Sequence, residues 1–342
     1  MRLQLCCALT ILLAAPGRAD PPPQPTTPLP QTSVTTANPV PPPNESPTSV
    51  EEVLVEAPEP RYVAPNRRDR IGRVWAPVMI NGRGPFRLVL DTGASGSAVI
   101  PSVVAKLGIS TANAPVVNLQ GVTGSSIVPA IPVERIEVGD LLLEGKQLPV
   151  VPDVFGGAEG VLGTEGLMDK RIFIDFANDE ISIMRSKQQR PGLGYSVVPI
   201  TLSKHRLLSL KVRIGMIRVN AILDTGAQVT IGNNALRDLL MRRRKDLGAT
   251  QEIMGVTLDV AHGQVMAIPV LHIGSIDVTG LRLTFGDMHI FDQWKLTHEP
   301  TLLIGMDIIG SFDALVVDYS RRELHIRARG DTSWNRRSAA QR

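Results

Sequence analysis

Two tripeptides, Asp91-Thr92-Gly93 and Asp224-Thr225-Gly226, combine residue types that could do chemistry, 133 positions apart (224 − 91). Each follows a strand-like apolar run, Phe86 to Leu90 or Val219 to Leu223, and each is followed by alanine. One such motif alone has an ordinary use, because Asp and Thr bond backbone groups in turns and Gly permits unusual backbone angles. Two in the same setting carry more. A carboxylate at the end of an apolar strand is costly to bury unless something stabilises it. Two brought together by a pseudo-twofold axis can share one proton, one ionised and the other protonated. Such a pair can activate water against a peptide carbonyl: the ionised member takes a proton from the water and the protonated member donates to the carbonyl oxygen.

The elements that must position the pair repeat with it. Gly121-Val122-Thr123 recurs as Gly255-Val256-Thr257 at an offset of 134, and Val161-Leu162-Gly163 as Leu303-Ile304-Gly305 at 142. Asp175 to Ile183 matches Asp318 to Ile326 at 143. Four landmarks in one order and at nearly constant offset indicate one structural unit present twice. The second copy has eight extra residues (142 − 134) around Phe291 to Pro300, expected in a surface loop. Short apolar runs punctuated by Gly and Pro favour a sheet-rich fold. Strands are expected over Trp75 to Ile80, Phe86 to Leu90 and Ile136 to Val138, and closing hairpins over Arg171 to Phe176 with Glu180 to Met184. Pro101 to Leu107, stopped by Gly108, suits a short helix, with a longer counterpart over Asn233 to Leu247. Pro191 to Gly194 marks the boundary between copies, giving a first lobe over 61–190, a second over 195–328 and a tail over 329–342.

On these motifs the chain resembles the aspartic peptidases, and the retropepsin-like branch more than the pepsin-like one: Ala94 and Ala227 follow the glycines, and neither copy has a Tyr near the expected flap. The resemblance covers roughly 72–327. It implies an all-β acid protease fold of two retropepsin-like lobes related by a pseudo-twofold, with short helices. It further implies a catalytic dyad of Asp91 and Asp224, loops locked to each other by Thr92 and Thr225, and turns permitted by Gly93 and Gly226. Flaps over the substrate are implied at Gly121 and Gly124 in the first copy and at either Gly255 or Gly263 in the second. The implied activity is that of an aspartic endopeptidase; the alternative is a peptide-binding protein that keeps the fold and has lost turnover. Most retropepsins build the site from two identical chains, whereas fusion here implies a monomer with an intramolecular dyad.

Composition sets the remaining bounds. The chain has 342 residues, 43% of them apolar, enough for two cores, and its formal net charge of +3 makes no case for nucleic acid. The opening reads as an export signal: Arg2, an apolar stretch from Leu5 to Ala15, then Gly17-Arg18-Ala19 before Asp20. That stretch is shorter than the ~20 residues that span a bilayer, so cleavage and a periplasmic or secreted protein are expected rather than stable membrane insertion. Both cysteines, Cys6 and Cys7, lie within it, leaving no thiol chemistry for the mature chain. From Asp20 to Pro60, thirteen of forty-one residues are proline, the composition of an unstructured spacer, with a pro-segment as the lesser reading. The histidines have no metal-binding spacing and no nucleotide motif follows a strand, so neither metal nor cofactor is expected, and the partner is a peptide or protein substrate. The basic run Met241 to Lys245 is read as a solvated helix face.

Overall fold

The computed structural model describes residues 72–178, 180–203, 206–242 and 249–329, and the backbone of three short strands, Gln4–Leu5, Leu9–Ile11 and Val63–Pro65. Apart from those strands, the expected signal, spacer and tail lie outside the described residues, as does most of the basic run. Strands take up 51% and helices 10%, which makes the fold all-β of the acid protease kind, its sheet curled into a half-barrel.

The strand Trp75–Ile80 pairs antiparallel with Arg83–Leu90, Trp75 opposite Val89. Asn81 and Gly82 join them at positive φ, 50° and 71°, which is what a two-residue hairpin turn asks of an Asn-Gly pair. The end of Arg83–Leu90 is then clasped from the side: Gly160–Leu162 runs parallel to it, Leu162 beside Leu90, and antiparallel to Ala98–Val99. The second half repeats this pairing. Leu208–Ile214 and Ile217–Leu223 form the hairpin, Thr301–Ile304 runs parallel with Ile304 beside Leu223, and Ile231–Gly232 pairs antiparallel with it. In both halves, the strand entering the tripeptide is therefore held from two sides, and its terminal residues are buried.

The two halves are sewn together by backbone bonds. The closing hairpin Lys170–Asp175 with Glu180–Arg185 lies beside Phe312–Asp318 with Glu323–Ala328, Arg171 opposite Asp318 and Asp175 opposite Ala314. Ile172 and Ile174 of one half and Leu315 and Val317 of the other are at most 1% exposed, so this seam is also core. Each such side chain stabilises by about 1.5–3 kcal/mol relative to exposure.

The expected helix Pro101–Leu107 is present with those bounds: Pro101 opens it and Gly108, at φ 71°, closes it. The second helix, Asn234–Met241, is capped by Asn233, whose side chain accepts from the Leu236 N–H at 3.0 Å. Its expected extension to Leu247 falls on 243–248, outside the described residues.

One expectation is corrected. The extra residues of the second half are not surface loop throughout: the short helix His289–Gln293 carries Ile290 and Phe291, both 0% exposed, and Trp294 follows at 7%, while Lys295 to Pro300 are irregular and half-buried or exposed. The apolar side chains of Ile290, Phe291 and Trp294 give this segment a core of its own, shared with Val122, Ile253 and Leu303. Ile290 N–H donates to Val122 O at 3.2 Å, so the insertion braces the hairpin of the first half. Phe291→Ala is expected to cost about 3–5 kcal/mol in a denaturant titration; a residue in a solvated loop would change stability by under about 0.5 kcal/mol.

Candidate active site

Asp91 and Asp224 are each delivered by a clasped strand. The Asp91 N–H donates to Leu162 O at 3.0 Å and the Asp224 N–H to Ile304 O at 2.9 Å, fixing both backbones at the end of a parallel pair. The threonines then bind one loop to the other. The Thr92 N–H donates to Thr225 Oγ1 and the Thr225 N–H to Thr92 Oγ1, both at 3.1 Å. The hydroxyls donate across in turn, Thr92 Oγ1 to Leu223 O at 2.7 Å and Thr225 Oγ1 to Leu90 O at 2.6 Å. Four bonds thus cross between segments 133 residues apart, all of them buried.

This grip sets the glycines against the carboxylates. A Cβ at Gly93 would lie 2.6 Å from the Asp224 carboxyl, and one at Gly226 would overlap the Asp91 carboxyl. Here glycine is needed for close approach rather than for φ. Both aspartates are 0% exposed. Asp91 Oδ1 accepts from the Gly93 N–H at 2.8 Å. Asp224 Oδ1 accepts from two backbone donors, Gly226 and Ala227, both at 2.9 Å. The Oδ2 atoms take no bond from a third residue; each carboxyl faces the other.

Burial raises both carboxyls above the usual range, and the charge of Asp224 pushes Asp91 further up. Its bond to Asp91 and its two backbone donors make Asp224 the easier member to ionise. Asp91, with one backbone donor, keeps the proton. The buried Arg73 guanidinium pulls both carboxyls down and lies over the Phe155 ring, 5.7 Å from its centroid. Tyr319, also buried, is raised first by burial and then by the charge of Asp91.

Behind each loop stands a second carboxyl that the sequence reading passed over. Glu165 Oε1 accepts from the Ser97 N–H at 2.7 Å while Ser97 Oγ accepts from the Gly163 N–H at 3.1 Å. In the other half Asp307 accepts from the Thr230 N–H at 3.0 Å and from its hydroxyl at 2.6 Å, and Thr230 Oγ1 accepts from the Gly305 N–H at 3.0 Å. The signal was available, since Glu165 and Asp307 lie at the same offset of 142 as the glycines (307 − 165). Arg73 and Tyr319 sit at repeated positions, matching Arg206 (206 − 73 = 133) and Phe176 (319 − 176 = 143), but neither residue type in those settings pointed to the carboxyl pair.

Gly121 and Gly124 bound a hairpin turn, the Gly121 N–H donating to Gly124 O at 2.8 Å. Of the two alternatives in the second half, the corresponding turn belongs to Gly255, whose N–H donates to Thr123 Oγ1 at 3.0 Å, so the two hairpin tips touch. Gly263 lies instead within the strand Val260–Ala267, opposite Gln251, and faces Thr284; close strand packing accounts for it. The hairpins also accept added strands: Leu9–Ile11 pairs antiparallel with Leu119–Gly121, and Gln4–Leu5 parallel with Ile253–Met254.

Thr92→Val keeps the shape of the side chain and removes both hydroxyl bonds, leaving Leu223 O and the Thr225 N–H buried without them. A loss of about 1–3 kcal/mol per abandoned group is expected, with Thr92→Ser recovering most of it, read by chemical unfolding. A second expectation concerns pH. Asp91, Asp224, Glu165 and Asp307 all hold their protons more tightly folded than unfolded, chiefly through burial. Their favourable contribution is present in acid and is lost as pH climbs from about 4, the ordinary carboxylate value, through the raised folded values. Glu323, gripped by Arg321 and held low at about 2, works in the opposite sense only below that range. The thermal midpoint should therefore rise as pH is lowered from 7 to 5, and Glu165→Gln should flatten the rise. A midpoint that falls over this interval contradicts the assignment.

Residues 76–165 match the family model described as aspartyl protease. Among curated proteins none matches the chain. The matched segment runs from the first hairpin through Asp91 to Glu165 and, with the all-β fold, supports a retropepsin-like aspartyl protease.

Proposed function

We propose that the chain is an aspartic endopeptidase in which water held between Asp91 and Asp224 attacks a peptide carbonyl. One observation carries the reading: two buried carboxyls packed face to face, with unequal hydrogen bonding. Asp224, stabilised as the anion, accepts a proton from the water as its oxygen bonds to the carbonyl carbon. Asp91 donates its proton to the carbonyl oxygen, giving a neutral gem-diol. Breakdown returns a proton to the leaving amine, and no covalent enzyme intermediate forms. Arg73 limits how far burial can raise either carboxyl and so keeps the singly ionised state accessible. Substrate lies extended under the hairpin tips at Gly121–Gly124 and Gly255, bonded to their edges as an added strand. Both halves act as lobes of one fused enzyme, monomeric, and exported to the periplasm or beyond after loss of the N-terminal segment.

The rival reading, a peptide-binding protein without turnover, has one observation on its side: both aspartates are wholly buried. The tips meet through the Gly255 N–H to Thr123 Oγ1 bond and through Val122, buried against Ile253 and Ile290, so opening must expose that side chain. Incubation with a diverse peptide mixture across pH, read by mass spectrometry, separates the two. Cleavage should follow a bell in pH, its lower limb set by ionisation of Asp224 and its upper limb by that of Asp91, and persist in chelator; binding without cleavage at every pH selects the rival. Asp91→Asn and Asp224→Asn should each abolish hydrolysis, and mixing them should restore nothing, because the acid and the base sit in one chain. A dimeric preparation in which either single variant keeps substantial turnover would instead place like halves together.

A further inference from the structure

The outer face of the second half's sheet carries a cationic row that the peptidase reading leaves unused. Arg213 and Arg218 stand directly opposite each other in the hairpin Leu208–Ile214 with Ile217–Leu223, and His272 stands opposite Arg213 on the neighbouring strand. Directly paired residues of neighbouring strands share a face, so the three form one line, with Lys211 in the next row on the same face. Like charges directly opposite destabilise a sheet. Neither arginine has an ion pair or hydrogen bond among the described residues to offset this. The pairing does not follow from the fold: in the matching hairpin of the first half, Ile80 opposite Arg83 corresponds to Ile214 opposite Ile217, and Met79 stands where the second half has Arg213.

The row borders a cavity of about 750 Å³ whose lining includes Lys211, Arg213, Arg218, His272 and Glu299. The acidic groups here are already engaged. Asp277 Oδ1 lies 2.6 Å from His272 Nδ1, and Glu299 Oε2 accepts from the Asn220 amide at 2.8 Å, while Asn220 Oδ1 accepts from Lys211. Three fixed cations thus surround a cavity that one bonded carboxylate lines.

We propose that this cavity is a phosphate-binding site, with Arg213 and Arg218 gripping the oxyanion in charge-assisted bonds and Lys211 at its edge. An anionic phosphoryl group offsets the repulsion between the arginines, and the planar guanidinium forks match its oxygens. The group is either free in solution or displayed on a lipid headgroup.

The test uses the full purified chain and its R213Q/R218Q variant, with inorganic phosphate titrated at constant ionic strength. In phosphate-free buffer the variant should unfold at the same temperature as the parent or above it, since a like-charge pair is gone. Phosphate should raise the midpoint of the parent alone, with an affinity at least about tenfold higher than for the variant. Peptide hydrolysis, where present, should be equal in both. Sedimentation with phosphatidylcholine vesicles, with and without phosphatidylglycerol, separates the sources. Arginine-dependent binding to the anionic vesicles, competed by phosphate, identifies a headgroup, and phosphate stabilisation without vesicle binding identifies the free ion. Equal phosphate response in parent and variant, with no arginine-dependent vesicle binding, overturns the proposal.

Discussion

Two carboxylates facing each other in a dry interior repel strongly unless one of them carries a proton. The arrangement around Asp91 and Asp224 is organised by that constraint. Left to itself the pair would separate or take water between its loops, so something stronger than one contact must hold the loops in place. The reciprocal bonds of Thr92 and Thr225 do this, and each depends on the other loop's backbone, so neither half can complete its turn alone. The same bonds leave no room for a Cβ at either glycine, where the opposite carboxyl stands.

The grip needs rigid strands behind it. The entering strands end on parallel partners, Gly160–Leu162 and Thr301–Ile304, whose following residues reach back over the loop. The Thr164 N–H donates to Ala94 O at 2.9 Å and the Met306 N–H to Ala227 O at 2.8 Å. Glu165 and Asp307 then hold the far end of each loop through Ser97 and Thr230. The hairpins above pair with the short strands Leu9–Ile11 and Gln4–Leu5.

Much of this was legible from residue types. Pro101 and Gly108 bound a helix because their backbone preferences are local, and the tripeptides announced a pair because they occur twice. Ranges set by distant packing were less legible. Arg73 reads as one more cation in an Arg-rich stretch, and its burial, its contact with Phe155 eighty-two residues on (155 − 73) and its pull on both carboxyls belong to the folded chain alone. Glu165 and Asp307 differ in type, so the repeat hid them although their spacing matched. Phe291 and Trp294 carried the apolar content of a core, but an insertion is ordinarily a loop, and the surface to which they pack belongs partly to the first half. Gly255 shares the Gly-Val-Thr repeat with Gly121 and Gly263 does not, yet both glycines suited a flap; strand register places the first at a turn and the second in a strand interior.

The central claim is that Asp91 and Asp224 form one coupled pair, and carboxyl carbon NMR of the aspartates across pH tests it directly. In the parent chain Asp91 should stay protonated to higher pH than Asp224. In Asp224→Asn the opposing charge is gone, and the titration of Asp91 should move to lower pH. An Asp91 resonance that titrates at the same pH in both chains would show that the two carboxyls do not sense each other, and would contradict the account.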